Sequence, residues 1–364
     1  MLAKQTSEKS EIFATLQAGR AIASLLVVLF HTGGGIFALE KYWGQDPVHH
    51  FFDFGHAGVE FFFVLSGFII FHIHWSDINQ PHRFPSYVRK RFYRIYPIYW
   101  MVLAALIPIY FFIPSFGKGF ERDPLVIFSS ITLLHFNFSD TILPVARTLY
   151  HEILFYAIFS LAIWNRKIGL YSFMMWMFAS GLSLLFIPPA PLDFYAAPVH
   201  LLFAMGMLAC ALLRSKQIAA PVWIAVFGTI LFFLCGMEEN YVHRLSGNTR
   251  ILIFGLGSML ALLGVVELER QKRLRVPKIL KLLGDASYMI YLIHFPLLSL
   301  LAKVFIRLGA KELLPAIISF ILFPIIAAIA GVGLHLFIEK RLLRYLNSWN
   351  KKNVSQEEIA CSVK

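Results

Sequence analysis

Long apolar runs decide what this chain can become. They cover residues 17–38, 55–75, 93–113, 146–164, 169–187, 197–213, 219–236, 250–267, 285–307 and 313–338. Each is close to the ~20 residues that a helix needs to cross a hydrocarbon core about 30 Å thick. In lipid every backbone polar group must be satisfied within the protein, so spanning segments are helices or closed barrels. Unbroken apolar runs of this length select helices. The expected fold is therefore all-α, a polytopic membrane bundle of about ten transmembrane helices. Only 15% of the 364 residues are charged, against about 25% in soluble domains. Little is left outside the bundle at 17–338: a segment 1–16 before it and a tail 339–364 after it. The apolar run 124–136 is too short to span, which predicts a re-entrant or interfacial piece.

The net charge of +12 belongs to topology. With the N-terminus inside, 23 of the 33 lysines and arginines fall on that side and 7 on the other, while Arg20, Arg147 and Lys303 lie within the runs. Basic residues gather on cytoplasmic segments, so both termini are expected to be cytoplasmic. No nucleic-acid partner is needed to explain the charge. Cys210, Cys235 and Cys361 lie far apart without metal-type spacing, which predicts neither a disulfide framework nor a metal. Residues 1–16 are mixed polar, and no cleavable signal is expected.

Ionisable groups inside spans are costly, and they mark function by default. Arg20 and His31 share the first run, offset by eleven positions. Eleven residues turn a helix about 1100°, some 20° past three full turns, so both face one way, roughly 16 Å apart. With the helix running outward, His31 lies about 21 Å from the cytoplasmic side. Glu60, on the returning second helix, reaches a similar depth, roughly 22 Å. A carboxylate beside an imidazole fixes its tautomer and suits a general base; it equally suits a buried structural hydrogen bond.

Farther along, His151–Glu152 opens the fourth span. Tyr288, Tyr291 and His294 recur at i, i+3, i+6 in GDASYMIYLIHFP and drift round one face. That face serves either core packing or a substrate groove. The third span begins SYVRKRFYRIYPIYW, where Arg89, Arg91 and Arg94 combine with Tyr93, Tyr96 and Tyr99. Arginines grip phosphates in bidentate fashion and stack on planar rings, as a donor with phosphates and an adenine requires. A positive-inside anchor with an aromatic belt has the same composition. Ser66–Gly67 reads as close helix packing.

In order along the chain, LQAGRAIASLLVVLFH, GHAGVEFFFVLSGFII, SYVRKRFYRIYPIYW, TLYHEILFYAIF, GDASYMIYLIHFP and IEKRLLRYL resemble the acyltransferase 3 family of integral membrane acyltransferases. The likeness is to the branch of exopolysaccharide and lipopolysaccharide O-acetyltransferases. One departure is Arg147–Thr148, where a Trp often precedes the fourth-helix block. The resemblance implies a multi-pass protein of the bacterial inner membrane. It also implies an acyl group, usually acetyl, taken from acetyl-CoA or another acyl-CoA and given to a hydroxyl of a glycan or glycolipid. On that implication His31 is general base or acyl carrier, Glu60 orients it, and Arg20 meets the arm of the donor. Arg89, Arg91, Arg94 and Tyr93 hold the cofactor, and Glu152, Tyr291 and His294 line the acceptor passage. A small molecule, a lipid or a periplasmic glucan remains open as acceptor, and succinyl as the acyl group. A proton-coupled transporter would also carry intramembrane His and Glu, but the two-repeat symmetry expected of one is absent from the runs.

Overall fold

A computed structural model describes residues 13–136, 140–346 and 348. Among the described residues the regular structure is helical, with no strand. In chain order the α-helices are α1 (Ala14–Thr32), α2 (Gly58–His74), α3 (Phe84–Phe112), α4 (Pro124–Thr132), α5 (Arg147–Trp164), α6 (Arg166–Leu182), α7 (Leu192–Tyr195), α8 (Leu201–Ser215), α9 (Pro221–Met237), α10 (Gly247–Arg270), α11 (Lys278–Asp285), α12 (Ser287–Arg307), α13 (Ala310–Leu313) and α14 (Ala316–Leu334). Eight helices are long and apolar enough to cross a membrane: those built on α1, α2, α3, α8, α9, α10, α12 and α14. The other two runs also form helices. α5 is diluted by Arg147, His151 and Glu152, and α6 has 17 residues. Residues 1–12, most of the tail beyond 346, and Cys361 lie outside the described residues. Cys210 and Cys235 are buried free thiols.

Two glycines show how closely the helices meet. A Cβ on Gly206 of α8 would stand 1.8 Å from the Val64 carbonyl of α2, and one on Gly67 would stand 2.1 Å from that of Phe203. Only glycine lets these backbones touch. Gly67 therefore packs as the sequence implied, whereas Ser66 turns away to donate to Glu152 at 2.8 Å. The start of α1 is fixed by Glu269 of α10, whose carboxylate accepts from the backbone N–H of Ala14 and of Thr15 at 2.8 Å each. A carboxylate there satisfies orphan donors and meets the positive end of the helix dipole. The expected run 285–307 divides at Ala286 into α11 and α12.

α4 is the short helix that the apolar run 124–136 foreshadowed. It packs along the middle of α3. Tyr99 donates to the carbonyl of Ser130, Trp100 to that of Ile131 and Tyr96 to that of Thr132, each at 2.8 Å. The last carbonyls of a helix have no partner within it, and α3 supplies three. Tyr96 and Tyr99 thus hold α4, and their hydroxyls are committed there rather than to a ligand.

Candidate active site

One polar cavity, about 120 Å³, lies among α1, α2, α3, α5 and the start of α12. Arg20, Arg91, Arg94, Glu152 and Tyr291 all line it. α3 brings Arg91 and Arg94 to one face by their i, i+3 spacing. Arg94 pairs with buried Glu339 at 3.4 Å and lies over the Tyr288 ring at 5.4 Å. Arg91 lies over the rings of Tyr156 and Tyr87, at 5.7 and 6.0 Å. Its buried Nε has no hydrogen-bond partner. Arg20 donates through Nε to Ser287 at 3.0 Å. Among the described residues, neither Arg20 nor Arg91 has a carboxylate within ion-pair distance. Glu152 accepts from Ser66 and, on the same oxygen, from Tyr156. Arg89 and Tyr93 do not line this cavity.

The sequence geometry of α1 holds. Arg20 and His31 both meet α12, through Ser287 and His294. Seven residues separate Ser287 from His294, so the two contacts sit about 6 Å closer on α12 than on α1. Arg20 therefore keeps its guanidinium inside the bundle, against Ser287 and the cavity.

His31 and His294 form a ring pair. His31 Nδ1 lies 2.9 Å from the Val27 carbonyl and 3.2 Å from His294 Nε2. His294 is fully buried, and its Nδ1 lies 2.7 Å from the carbonyl of Tyr291 and 3.2 Å from that of Ile290. A carbonyl only accepts, so each Nδ1 carries a proton. A neutral His294 then presents the Nε2 lone pair to the His31 Nδ1–H. A neutral His31 keeps its lone pair on Nε2, which has no protein partner among the described residues. That is the tautomer a base requires. Tyr291 joins the pair to the cavity: it lines the cavity, and its ring lies 5.7 Å from that of His294. Its hydroxyl donates to the Val145 carbonyl at 2.9 Å and meets Thr148 Oγ1 at 3.0 Å.

Glu60 stands elsewhere, correcting the expectation that it orients His31. No hydrogen bond joins the two among the described residues. Glu60 Oε1 faces His56 Nδ1 at 3.6 Å, and His56 Nε2 bonds Glu239 at 3.0 Å. Arg250 completes this network at 3.2 Å from both Glu238 and Glu239. Phe30 packs against His31 on one side and His56 on the other. His56 precedes Glu60 by four residues on consecutive turns, so it captures the carboxylate locally. That i, i+4 pair was readable in HAGVE, and the sequence reading passed over it. Asp46, His50 and Asp53 also gather ligand atoms within 4.8 Å. Their own hydrogen bonds account for them: Asp46 accepts from the backbone of Val48 and His50, and His50 bonds Asp53.

A family model described as an acyltransferase domain matches residues 13–338, which takes in the cavity and both networks. The chain belongs to the acyltransferase 3 family. It is an integral membrane acyltransferase that transfers groups other than amino-acyl groups, and it requires an acyl donor. The exopolysaccharide production protein ExoZ of Rhizobium meliloti is 28% identical over 316 residues, covering 82% of this chain and 93% of that protein. Protein 2 in the picA locus of Rhizobium radiobacter is 31% identical over 97 residues, covering 26% of this chain and 44% of that protein. No solved structure matches this chain at a significant level.

Proposed function

We propose that this acyltransferase moves an acetyl group from acetyl-CoA, on the cytoplasmic side of a bacterial inner membrane, to a hydroxyl of an exported polysaccharide or glycolipid. One observation carries the reading. A cavity with two arginines that lack carboxylate partners among the described residues meets, through Tyr291, a histidine whose Nε2, unpartnered among those residues, is set as a base. Buried unpaired cations are costly in a bilayer and call for an anionic ligand. Arg91 and Arg94 would grip the donor phosphates, and Arg20 would meet the arm that carries the thioester. The named role of the rhizobial relative, exopolysaccharide production, supports a glycan acceptor.

The chemistry then follows from the tautomers. The acceptor oxygen attacks the thioester carbonyl carbon as His31 Nε2 takes the hydroxyl proton. The tetrahedral intermediate collapses, the carbon–sulfur bond breaks, and His31 returns the proton to the departing thiolate. Val27 and His294 hold Nδ1–H throughout, so the ring neither turns nor changes tautomer. Glu152 keeps one oxygen without a hydrogen bond among the described residues, on the donor side of this path.

Purified protein in lipid nanodiscs, given acetyl-labelled acetyl-CoA and de-esterified exopolysaccharide fragments, is expected to place label on the glycan as an alkali-labile ester. Label on lipid or a small molecule instead would overturn the acceptor, and an intact thioester would overturn the donor. The orientation is tested by reporters: one fused after residue 350 is expected inside the cell and one near residue 193 outside. Both on one side would break the ten-span topology.

A further inference from the structure

α5 has two polar faces. Thr148, Glu152 and Tyr156, at i, i+4, i+8, face the arginine cavity. Arg147, Tyr150 and His151, at i, i+3, i+4, line a different cavity, of about 250 Å³, beside the end of α4 and the turn α7. The two are separated by little more than a side chain: Phe63 lines the first, and its ring lies 5.8 Å from that of His151. No residue of the mechanism above belongs to the second cavity.

Its wall is built for hydrogen bonding. Phe194 is stacked on both faces, by His135 at 4.1 Å and by His151 at 4.5 Å. The trio fixes two imidazoles in place and leaves no bare face of Phe194. His151 Nδ1 bonds His200 Nε2 at 2.8 Å, and His151 Nε2 has no hydrogen bond among the described residues. The His135 ring nitrogens have no hydrogen bond among the described residues. Asp193 accepts with one oxygen from the Phe194 backbone N–H at 2.9 Å, and its other oxygen has no hydrogen bond among the described residues. Tyr150 contributes a hydroxyl 3.3 Å from that of Ser129.

Arg147 and Asp193 line the same small space. A bare anion would meet the Asp193 carboxylate, and a bare cation would meet Arg147. Groups that both donate and accept satisfy His135, Tyr150, His151 and Asp193 together, and hydroxyls do so. A ring bearing several hydroxyls fits the volume, the polarity and the reach to the arginine cavity. We propose that this cavity is a subsite for one sugar residue of the acceptor glycan, next to the residue that receives the acyl group. The proposal rests on the acyl-transfer reading above and adds the place where the acceptor is held.

The test uses the full chain in nanodiscs, with acetyl-CoA, methyl glycosides and short gluco- and galacto-oligosaccharides as probes. Tyr150→Phe removes one hydroxyl, and Asp193→Asn removes the charge of an exposed side chain and turns one acceptor oxygen into a donor. In both variants the KM and Kd for oligosaccharide are expected to rise about tenfold or more. The Kd for acetyl-CoA on the same preparations is expected to stay within about twofold of wild type, which reports folding. Methyl glycosides lack the neighbouring residue, so their kinetics are expected not to change. Oligosaccharide constants that stay at the wild-type value in both variants would overturn the subsite, while acetyl transfer by wild type to oligosaccharides would leave the parent reading standing. Transfer by wild type only to non-sugar acceptors would overturn both.

Discussion

Two polar regions inside this apolar bundle treat charge in opposite ways. Around Glu60 the cations stand beside carboxylates: Arg250 sits between Glu238 and Glu239, and His56 between Glu239 and Glu60. That network ties α2 to α9 and α10, and each of its cations has a carboxylate, although Glu60 Oε2 itself has no hydrogen-bond partner among the described residues. Around the cavity arginines the arrangement is open. Of the three, Arg94 alone has a carboxylate within ion-pair distance among the described residues, while Arg20 and Arg91 face the cavity beside rings and a hydroxyl. A charge cluster in a membrane protein is therefore not a site because it is charged. It becomes a candidate when its charges are left for something else to complete.

The largest effect is expected where the two regions nearly meet. His31→Ala should lower acetyl transfer more than a hundredfold, as for a lost general base, while donor affinity persists. Turnover within a few-fold of wild type would remove His31 from the chemistry. Next come the open arginines. Replacing Arg20 and Arg91 by Gln should weaken acetyl-CoA binding by about 1.5–3 kcal/mol for each charged hydrogen bond lost. Arg89→Gln, off the cavity wall, should move it less than about twofold. Calorimetry on the purified variants separates these outcomes, and equal affinities throughout would make the arginines a topology anchor.

A smaller effect is expected at His294. His294→Leu takes away the lone pair that holds the His31 Nδ1–H, and kcat should fall roughly tenfold with donor Kd unchanged. His294→Gln restores an acceptor oxygen and should recover part of the loss; failure of Gln to outperform Leu would argue for packing alone. The smallest catalytic effect is expected in the Glu60 network. Glu60→Gln should leave transfer within about threefold and lower thermal stability slightly, since it removes the carboxylate charge 3.6 Å from His56. A hundredfold loss of transfer at unchanged stability would return Glu60 to the reaction.

What could be read from the sequence was local or one-dimensional. Helix periodicity set Arg20 and His31 on one face, and the structure turns that face toward α12. Run length gave the helices and singled out the short 124–136 segment. Azimuth between helices was out of reach. Depth set Glu60 beside His31, yet the carboxylate pairs with His56, four residues before it, while Phe30 packs between the two imidazoles. Tyr96 and Tyr99 were read with the arginines because they neighbour them in sequence; their true partners are the carbonyls of α4, some thirty residues on. The second cavity left no trace in any one motif. His135, His151 and Asp193 come from three separate elements, and a connection brings the first of them into place.

The three aromatic donors of α3 also bear on how the protein is made. A nine-residue helix is too short to be held in a bilayer by its own length. Its end at Thr132 would expose carbonyls to lipid if it arrived alone. α3 is synthesised just before it and offers Tyr96, Tyr99 and Trp100 as ready partners. The order of the chain thus matches the order of need during insertion: the support is in place before the half-length segment that leans on it emerges from the ribosome.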